Sequence, residues 1–131
     1  MKYLLDTMVW LWSVGDTEKI GPAGLDILAD GRCEIYLSAA SVWEIAIKAQ
    51  LGKYRLPEAP GPYVRTRVAA QQIIPLPITY NHSLGAYDLP LHHQDPFDRM
   101  ILAQAVAEGM VVLTSDRAFR KYPVEVVWCG K

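Results

Sequence analysis

The sequence predicts an α/β sandwich with a mainly parallel central sheet, and three observations lead to this fold class. Short apolar runs of strand length alternate with helical patterns along the whole chain. The runs Tyr3–Leu5 and Met110–Leu113 are apolar throughout, as are strands that helices cover on both faces. The chain has 131 residues, of which 51% are hydrophobic and 21% charged, and this composition is typical of a folded domain. We therefore expect residues 1–131 to form a single domain.

The first half of the chain predicts two strands and three helices. Gly21 and Pro22 are typical of a helix start, and Gly52 is typical of a helix stop. The predicted elements are a strand at Tyr3–Leu5, a helix through Val9 to Trp12, a helix from Pro22 to about Asp30, a strand at Ile35–Leu37 and a helix from Ser38 to Leu51.

The second half predicts three helices and three strands. The prolines and glycine between Pro57 and Pro62 predict a loop, and Pro75 weakens the strand pattern around it. The predicted elements are a helix through Val64 to Ala70, a strand at Ile73–Leu76, a helix through Leu84 to Tyr87, a helix from Pro96 to a stop at Gly109, and strands at Met110–Leu113 and Val124–Val127.

Composition and charge limit the classes of function. The formal net charge is −1, so binding of nucleic acid would depend on local Lys and Arg and on bound cations. Cys33 and Cys129 lack metal-site spacing and predict neither a zinc site nor a disulfide framework. Asp6 interrupts the N-terminal apolar run, which argues against a signal peptide, and no run is long enough to span a membrane. We expect a cytoplasmic protein. Because a small domain cannot bury so many apolar residues, we expect part of its apolar surface to contact a partner or a second copy of the chain.

Four carboxylates are placed where a parallel sheet would bring them together. Asp6 and Asp116 each follow an apolar run, and ligands of open α/β sheets bind at the carboxyl ends of the strands. Glu44 and Asp98 each lie in the first turns of a predicted helix. If both helices begin at the same edge of the sheet, all four carboxylates converge.

Each of these placements has a structural alternative. The two aspartates at strand ends could be helix N-caps. Ser41 and Glu44 have the spacing of a capping box. Asp95 could cap a helix that has Pro96 at its first position, leaving Asp98 to interact with the positive end of the helix. If all four residues only capped helices, however, their common location at one edge of the sheet would be a coincidence. A shared site explains the four placements together.

Converging carboxylates repel each other in a cleft unless a cation or hydrogen-bond donors neutralise them. A hard divalent ion with oxygen ligands, Mg²⁺ or Mn²⁺, would do so. Such an ion activates water and stabilises charge on a phosphate. Thr7, Thr114 and Ser115 could orient these carboxylates or could be ordinary turn hydroxyls.

Four segments together resemble the PIN-domain proteins, and most of all the VapC-type toxins of prokaryotic toxin–antitoxin pairs. None of the four segments is specific to this family by itself, but the four segments in this order along nearly the whole chain are specific to it. The segments are Leu4-Leu5-Asp6-Thr7, Ser38–Lys48 (SAASVWEIAIK), Asp95–Arg99 (DPFDR) leading into Leu102–Ala105, and Leu113-Thr114-Ser115-Asp116.

The resemblance implies a PIN-like α/β/α sandwich and an endoribonuclease that uses Mg²⁺ or Mn²⁺. It implies hydrolysis of RNA to a 5′-phosphate and a 3′-hydroxyl, with Asp6, Glu44, Asp98 and Asp116 at the acidic positions of the family. It also implies a cognate antitoxin and a homodimer.

Several other residues are candidates for the site or its surroundings. We favour capping for Asp95, and a solvated loop for His92 and His93, since no zinc-binding spacing accompanies them. Lys48 could orient Glu44 or form a surface ion pair. The residues Arg99, Arg117, Arg120 and Lys121 could meet phosphates or be surface charges. The tryptophans Trp10, Trp12 and Trp43 favour packing over base stacking, and exposed apolar residues could form a groove for an antitoxin helix.

Other functions remain open at the level of sequence. An aspartyl phosphotransferase is disfavoured because Met8 stands where a second aspartate would be needed. A non-catalytic metal-binding regulatory or interaction module, and a DNA-directed nuclease, are the alternatives to an RNA-cleaving enzyme.

Overall fold

The computed structural model describes residues 1–131 and contains five strands and six α-helices. The strands are β1 (Lys2–Leu5), β2 (Glu34–Ser38), β3 (Ile74–Leu76), β4 (Val111–Thr114) and β5 (Val126–Trp128). The helices are α1 (Thr7–Gly15), α2 (Pro22–Ala29), α3 (Ala39–Gln50), α4 (Pro60–Gln71), α5 (Tyr80–Gly85) and α6 (Pro96–Glu108). Short 3-10 helices lie at Thr17–Lys19, Ala86–Asp88 and Arg117–Lys121.

All five strands are parallel and lie in the order β3-β2-β1-β4-β5. The central strand β1 pairs with β2 on one side, where Leu4 is opposite Tyr36, and with β4 on the other, where Leu4 is opposite Val112. The chain builds one half of the sheet outward from β1 to β3 and then crosses to the other half. The connections therefore diverge between β1 and β4, the position at which open α/β sheets bind ligands.

Side chains that alternate along β1 and β4 enter two separate cores. Leu5 packs in a cluster with Trp10 of α1 and Ile45 of α3, whereas Leu4 packs in a second cluster with Leu102 of α6. Because helices cover both faces, the strands need no polar face, which explains their continuous apolar runs. The predicted α/β sandwich with a parallel sheet is confirmed.

Most predicted elements are present with boundaries shifted by a few residues, and three of them need comment. Helix α4 begins at Pro60, inside the stretch predicted as a loop, because the first turn of a helix leaves its amides unpaired and so tolerates proline. The helix predicted at Leu84–Tyr87 is instead α5 followed by a 3-10 turn, since Thr79 caps the earlier start with a capping box. Strand β5 lies at Val126–Trp128, further along than predicted.

Three further findings concern the cysteines, the helices and Trp10. Cys33 and Cys129 are both unpaired thiols. None of the helices combines the length and the apolar character that crossing a membrane would require. Trp10 is fully buried, as predicted for a packing residue.

Candidate metal centre

Asp6 joins β1, α1 and the end of β4. Its Oδ1 accepts the Val9 amide at 2.7 Å, and its Oδ2 accepts the Thr114 hydroxyl at 2.6 Å and the Ser115 amide at 3.2 Å. The pKa of Asp6 is raised above its ordinary value, because the effect of burial exceeds that of the hydrogen bonds from Thr114, Val9 and Ser115, which lower the pKa. The carboxylate is thus a helix N-cap and also a member of the site, so the two readings of Asp6 do not exclude each other.

Asp116 follows β4 and is fixed by the same threonine. The Asp116 amide donates to Thr114 Oγ1 at 2.9 Å, so this hydroxyl links the two aspartates at the strand ends. Asp116 Oδ1 accepts the Ala118 amide at 2.9 Å and caps the following 3-10 helix, whereas Oδ2 points to His93. Thr114 is therefore an orienting hydroxyl rather than a simple turn residue.

Glu44 enters the cavity from the side of α3. The capping box proposed for Ser41 and Glu44 does not form, because Ser38 is the N-cap and its hydroxyl accepts the Ala40 amide at 2.9 Å. Glu44 is only 5% exposed, and its Oε2 accepts from Lys48 Nζ at 2.5 Å. Its Oε1 is buried and has no hydrogen-bond partner. Lys48 therefore orients Glu44 rather than lying on the surface.

Asp98 enters from the first turn of α6. Asp95 is the N-cap, as favoured from the sequence, and its Oδ1 accepts the Phe97 amide at 2.8 Å and the Asp98 amide at 3.4 Å. Burial raises the pKa of Asp98 to about 7; Asp95, Glu44 and Asp6 add to this rise, and His93 opposes it. Negative charge on Asp98 is thus costly in the absence of a cation.

The four predicted carboxylates line one cavity of about 180 Å³ at the carboxyl edge of the sheet. The whole lining is Asp6, Thr7, Met8, Glu44, Lys48, Tyr54, Asp95, Asp98, Ser115 and Asp116. Within this region the ligand atoms of His93, Asp98 and Asp116 lie within 4.8 Å of one another. The convergence predicted from the strand ends and helix starts is therefore present.

The residues of this cavity fit a divalent cation. Glu44 Oε1 is an acceptor without a donor in a buried position, which is unfavourable unless a ligand completes it. The carboxylate oxygens of Asp98 and Asp116 lie close together in the same region, and oxygen donors of this kind suit Mg²⁺ or Mn²⁺. With one ammonium against several carboxylates, the site has negative charge for a cation to neutralise.

His93 is the residue of this centre that the sequence interpretation missed. Its Nε2 lies 2.8 Å from Asp116 Oδ2 and 3.0 Å from Asp98 Oδ2, so the solvated-loop interpretation is wrong for His93. It is correct in part for His92, which is exposed but packs against the Tyr122 ring. One feature of the sequence could have indicated His93: it lies two residues before Asp95, the cap of α6, and this helix begins at the sheet edge that carries the carboxylates.

Arg99 does not project toward a phosphate. It donates to the carbonyls of Ala86 at 2.7 Å and Pro90 at 2.8 Å and so fastens the loop that precedes α6. Arg117 and Arg120 are exposed and lie over the Trp128 ring. Of the cations proposed to meet phosphates, Arg99 is therefore structural.

The fold and the site together define a class of protein: an α/β/α sandwich with a carboxylate centre at the switch point of a parallel sheet. The PIN domain family matches residues 3–125, and the chain belongs to this family. The resemblance seen in the four sequence segments is thereby confirmed.

Known relatives agree with this assignment. Ribonuclease VapC16 of Mycobacterium tuberculosis (strain ATCC 25618 / H37Rv) is 44% identical over 57 residues, which cover 44% of this chain and 40% of that protein. A chain of DNA-bound VapBC2 from Rickettsia felis has a TM-score of 0.73 at 15% identity, covering 97% of this chain and 98% of its own. A chain of DNA-bound VapBC from Salmonella typhimurium has a TM-score of 0.69 at 16% identity and covers 97% of both chains. The structural similarities confirm the fold.

Proposed function

We propose that this protein is an Mg²⁺- or Mn²⁺-dependent endoribonuclease of the VapC type, acting as the toxin of a toxin–antitoxin pair. The observation that carries the proposal is the convergence of Asp6, Glu44, Asp98 and Asp116 on one cavity in a PIN-family chain. The reaction is hydrolysis of an RNA phosphodiester to a 5′-phosphate and a 3′-hydroxyl. The ribonuclease name of the Mycobacterium relative supports the substrate class, although only 40% of that protein aligns.

The chain supplies the ligands and their support. A bound Mg²⁺ or Mn²⁺ would lower the pKa of water and neutralise charge on the scissile phosphate. Asp6 is held rigidly by three donors, and Glu44 offers a free carboxylate oxygen. Lys48 keeps the other oxygen of Glu44 in place, and its contact with the Tyr54 ring, 5.4 Å from Nζ, limits its own motion. These contacts hold the oxygens in position before a cation arrives.

A basic groove beside the acidic cavity supports a polyanionic substrate. Its lining has three cations, Lys19, Lys53 and Arg55, and one carboxylate, that of Asp16, which is paired with Lys19. The groove adjoins the acidic cavity, since two residues line both of them. Cationic side chains next to the carboxylates give a phosphate backbone a favourable path in a protein whose net charge is −1. We therefore infer that RNA approaches the acidic cavity along this groove.

The test is cleavage of a mixed RNA pool by protein stripped of metal with EDTA and then supplied with MgCl₂ or MnCl₂. We expect cleavage only with added metal and products that carry a 5′-phosphate. Asp6→Asn keeps one oxygen to accept the Val9 amide but removes the charge and the second acceptor, and we expect it to abolish cleavage. The paired variant Lys53→Gln/Arg55→Gln should instead weaken RNA binding and reduce its salt dependence, with metal affinity unchanged.

Two results would contradict the proposal in different ways. Metal binding without cleavage of any RNA would favour the non-catalytic regulatory or interaction module. Equal cleavage of single-stranded DNA would favour a DNA-directed nuclease.

We also propose a cognate antitoxin and a homodimer as partners. The solved relatives from Rickettsia and Salmonella are VapBC structures, and this chain exposes large apolar side chains. Trp43 is 61% exposed, Leu91 81% and Tyr87 90%. Co-expression with the product of the adjacent reading frame should yield a complex that suppresses cleavage. Light scattering should give twice the chain mass; a monomer at micromolar concentration would contradict the dimer.

A further inference from the structure

We propose that His93 is a positioning residue of the metal centre, holding Asp98 and Asp116 together through its Nε2–H. The inference rests on the proposed function and deepens it, because it assigns how two carboxylates from distant segments are kept at one point. Asp98 belongs to α6 and Asp116 to the turn after β4, and the His93 ring stands between them.

The hydrogen bonds of the ring decide where its proton lies. Nδ1 accepts the backbone amide of Asp95 at 3.2 Å, so Nδ1 presents a lone pair. The proton of the neutral ring is then on Nε2, which donates to Asp116 Oδ2 at 2.8 Å and lies 3.0 Å from Asp98 Oδ2. In this tautomer Nε2 has no lone pair for a metal. The geometry therefore assigns His93 as a donor to carboxylates rather than as a nitrogen ligand.

His93 is held both through its backbone and through its ring. The His93 amide donates to Tyr122 Oη at 2.7 Å, and the His93 carbonyl accepts from Arg99 Nη1 at 3.4 Å. The ring packs edge-on against Phe119, with centroids 6.1 Å apart, and its side chain is 18% exposed. A residue fastened in this way is suited to hold a fixed geometry rather than to act as a movable gate.

A separate observation points to a ligand in the acidic cavity. Glu44 lines the same cavity, is 5% exposed, and has an Oε1 atom without any partner. His93 forms a hydrogen bond with Asp116 and lies close to Asp98, but it forms none with this atom of Glu44. The bridge by His93 thus leaves an acceptor for a cation while reducing the repulsion between the carboxylates.

The experiment measures Mg²⁺ and Mn²⁺ binding by calorimetry to the intact EDTA-stripped protein. In His93→Gln the amide nitrogen replaces Nε2 and keeps the donor, whereas in His93→Asn the amide oxygen replaces Nδ1 and the donor is lost. We expect His93→Asn to weaken both metals about 10- to 100-fold, as loss of an outer contact does. We expect His93→Gln to stay within about threefold of the wild type, in keeping with rescue of that contact. His82→Asn is the matched control, since His82 also accepts an amide at Nδ1 and faces a carboxylate, and it should leave both affinities unchanged.

Three outcomes would overturn the proposal. Unchanged or tighter metal binding by His93→Asn would show that the bridge is irrelevant or competes with the metal. Selective loss of Mn²⁺ over Mg²⁺ affinity in His93→Gln would identify a nitrogen ligand. A ¹⁵N spectrum of the metal-free wild type that shows the Nδ1–H tautomer would contradict the hydrogen-bond assignment, even if a variant fails to fold.

Failure of the proposed function gives a different result. In that case the wild type itself binds neither metal, and the positioning role falls with it. If the wild type binds metal and His93→Asn does so equally well, only the role of His93 is lost.

Discussion

His82 and His93 are held by the same two kinds of hydrogen bond but in different surroundings. In each ring Nδ1 accepts a backbone amide, from Thr79 at 3.1 Å or from Asp95 at 3.2 Å. His82 Nε2 faces one carboxylate, that of Glu108 at 2.8 Å, whose side chain is 41% exposed to water. His93 Nε2 faces two carboxylates, which share a cavity with Asp6 and Glu44.

The difference shows what separates a structural contact from a functional centre. Water screens Glu108, so one imidazole completes its environment and nothing further is needed. Around His93 several carboxylates share one cavity, and Asp6, Glu44 and Asp98 among them are largely buried, so a single imidazole donor cannot satisfy them all. Both regions contain a histidine whose Nδ1 accepts an amide and whose Nε2 faces a carboxylate. The additional buried carboxylates around His93 make that region a candidate metal centre.

The largest expected contrast is in metal affinity. Asp98→Asn removes a buried charge from the His93 region and should weaken Mn²⁺ binding by at least about 100-fold, since loss of an outer contact alone costs about 10- to 100-fold. Glu108→Gln makes the same chemical change in the His82 region and should leave the affinity unchanged. Calorimetry on both proteins measures the contrast, and equal effects would mean that the cavity is not the metal site.

The next contrast is the pH dependence of stability without metal. The pKa of Asp98 in the folded protein is raised from its ordinary 3.8 to about 7. Between these two pH values the folded state therefore binds more protons at Asp98 than the unfolded state does. The stability present below pH 4 is therefore lost as pH rises through 7. Asp98→Asn removes this loss and should stabilise the EDTA-treated protein by about 1–2 kcal/mol at pH 8, with little effect at pH 4.

Urea unfolding at the two pH values measures this difference. Saturating Mn²⁺ should stabilise the wild type at pH 8 but not Asp98→Asn. A variant whose stability follows that of the wild type across the whole pH range would show that the charge of Asp98 is not costly in the folded protein.

The two helix caps should separate stability from binding. Thr79→Ala removes the cap of α5 beside His82 and should cost about 1 kcal/mol of stability, with metal affinity unchanged. Asp95→Asn keeps a good cap on α6 but removes a charge beside Asp98, so stability should hold while metal affinity falls less than about fivefold. A loss of tenfold or more in Asp95→Asn would instead make Asp95 a metal ligand.

The smallest expected effect is that of Glu108→Gln on stability. The amide oxygen of the glutamine can still accept from His82, and the contact is half-exposed to water, so the free energy of unfolding should change by less than about 0.5 kcal/mol. Thermal denaturation at pH 7 measures it. A larger loss would mean that the His82 region depends on charge in the way that the His93 region does.

Local patterns in the sequence were enough to predict much of the fold and the centre. Asp6 and Asp116 could be placed because each lies just beyond the apolar run of a strand, and parallel strands share one carboxyl edge. The start of α6 could be placed because Asp95 and Pro96 have strong preferences for the first positions of a helix. The PIN-domain resemblance then linked these positions to Glu44.

The sequence by itself therefore determined the strands, the sheet edge and the four carboxylates, because short-range patterning and backbone preference act within a few residues. Only the tertiary structure decided the position of His93, since its amide donates to Tyr122 and its ring packs against Phe119, both more than 20 residues away. It also decided that Arg99 fastens a loop, because its partners are backbone carbonyls, which every residue carries and no pattern marks. Contacts between distant segments depend on how the chain packs, and packing leaves no periodic trace in the sequence.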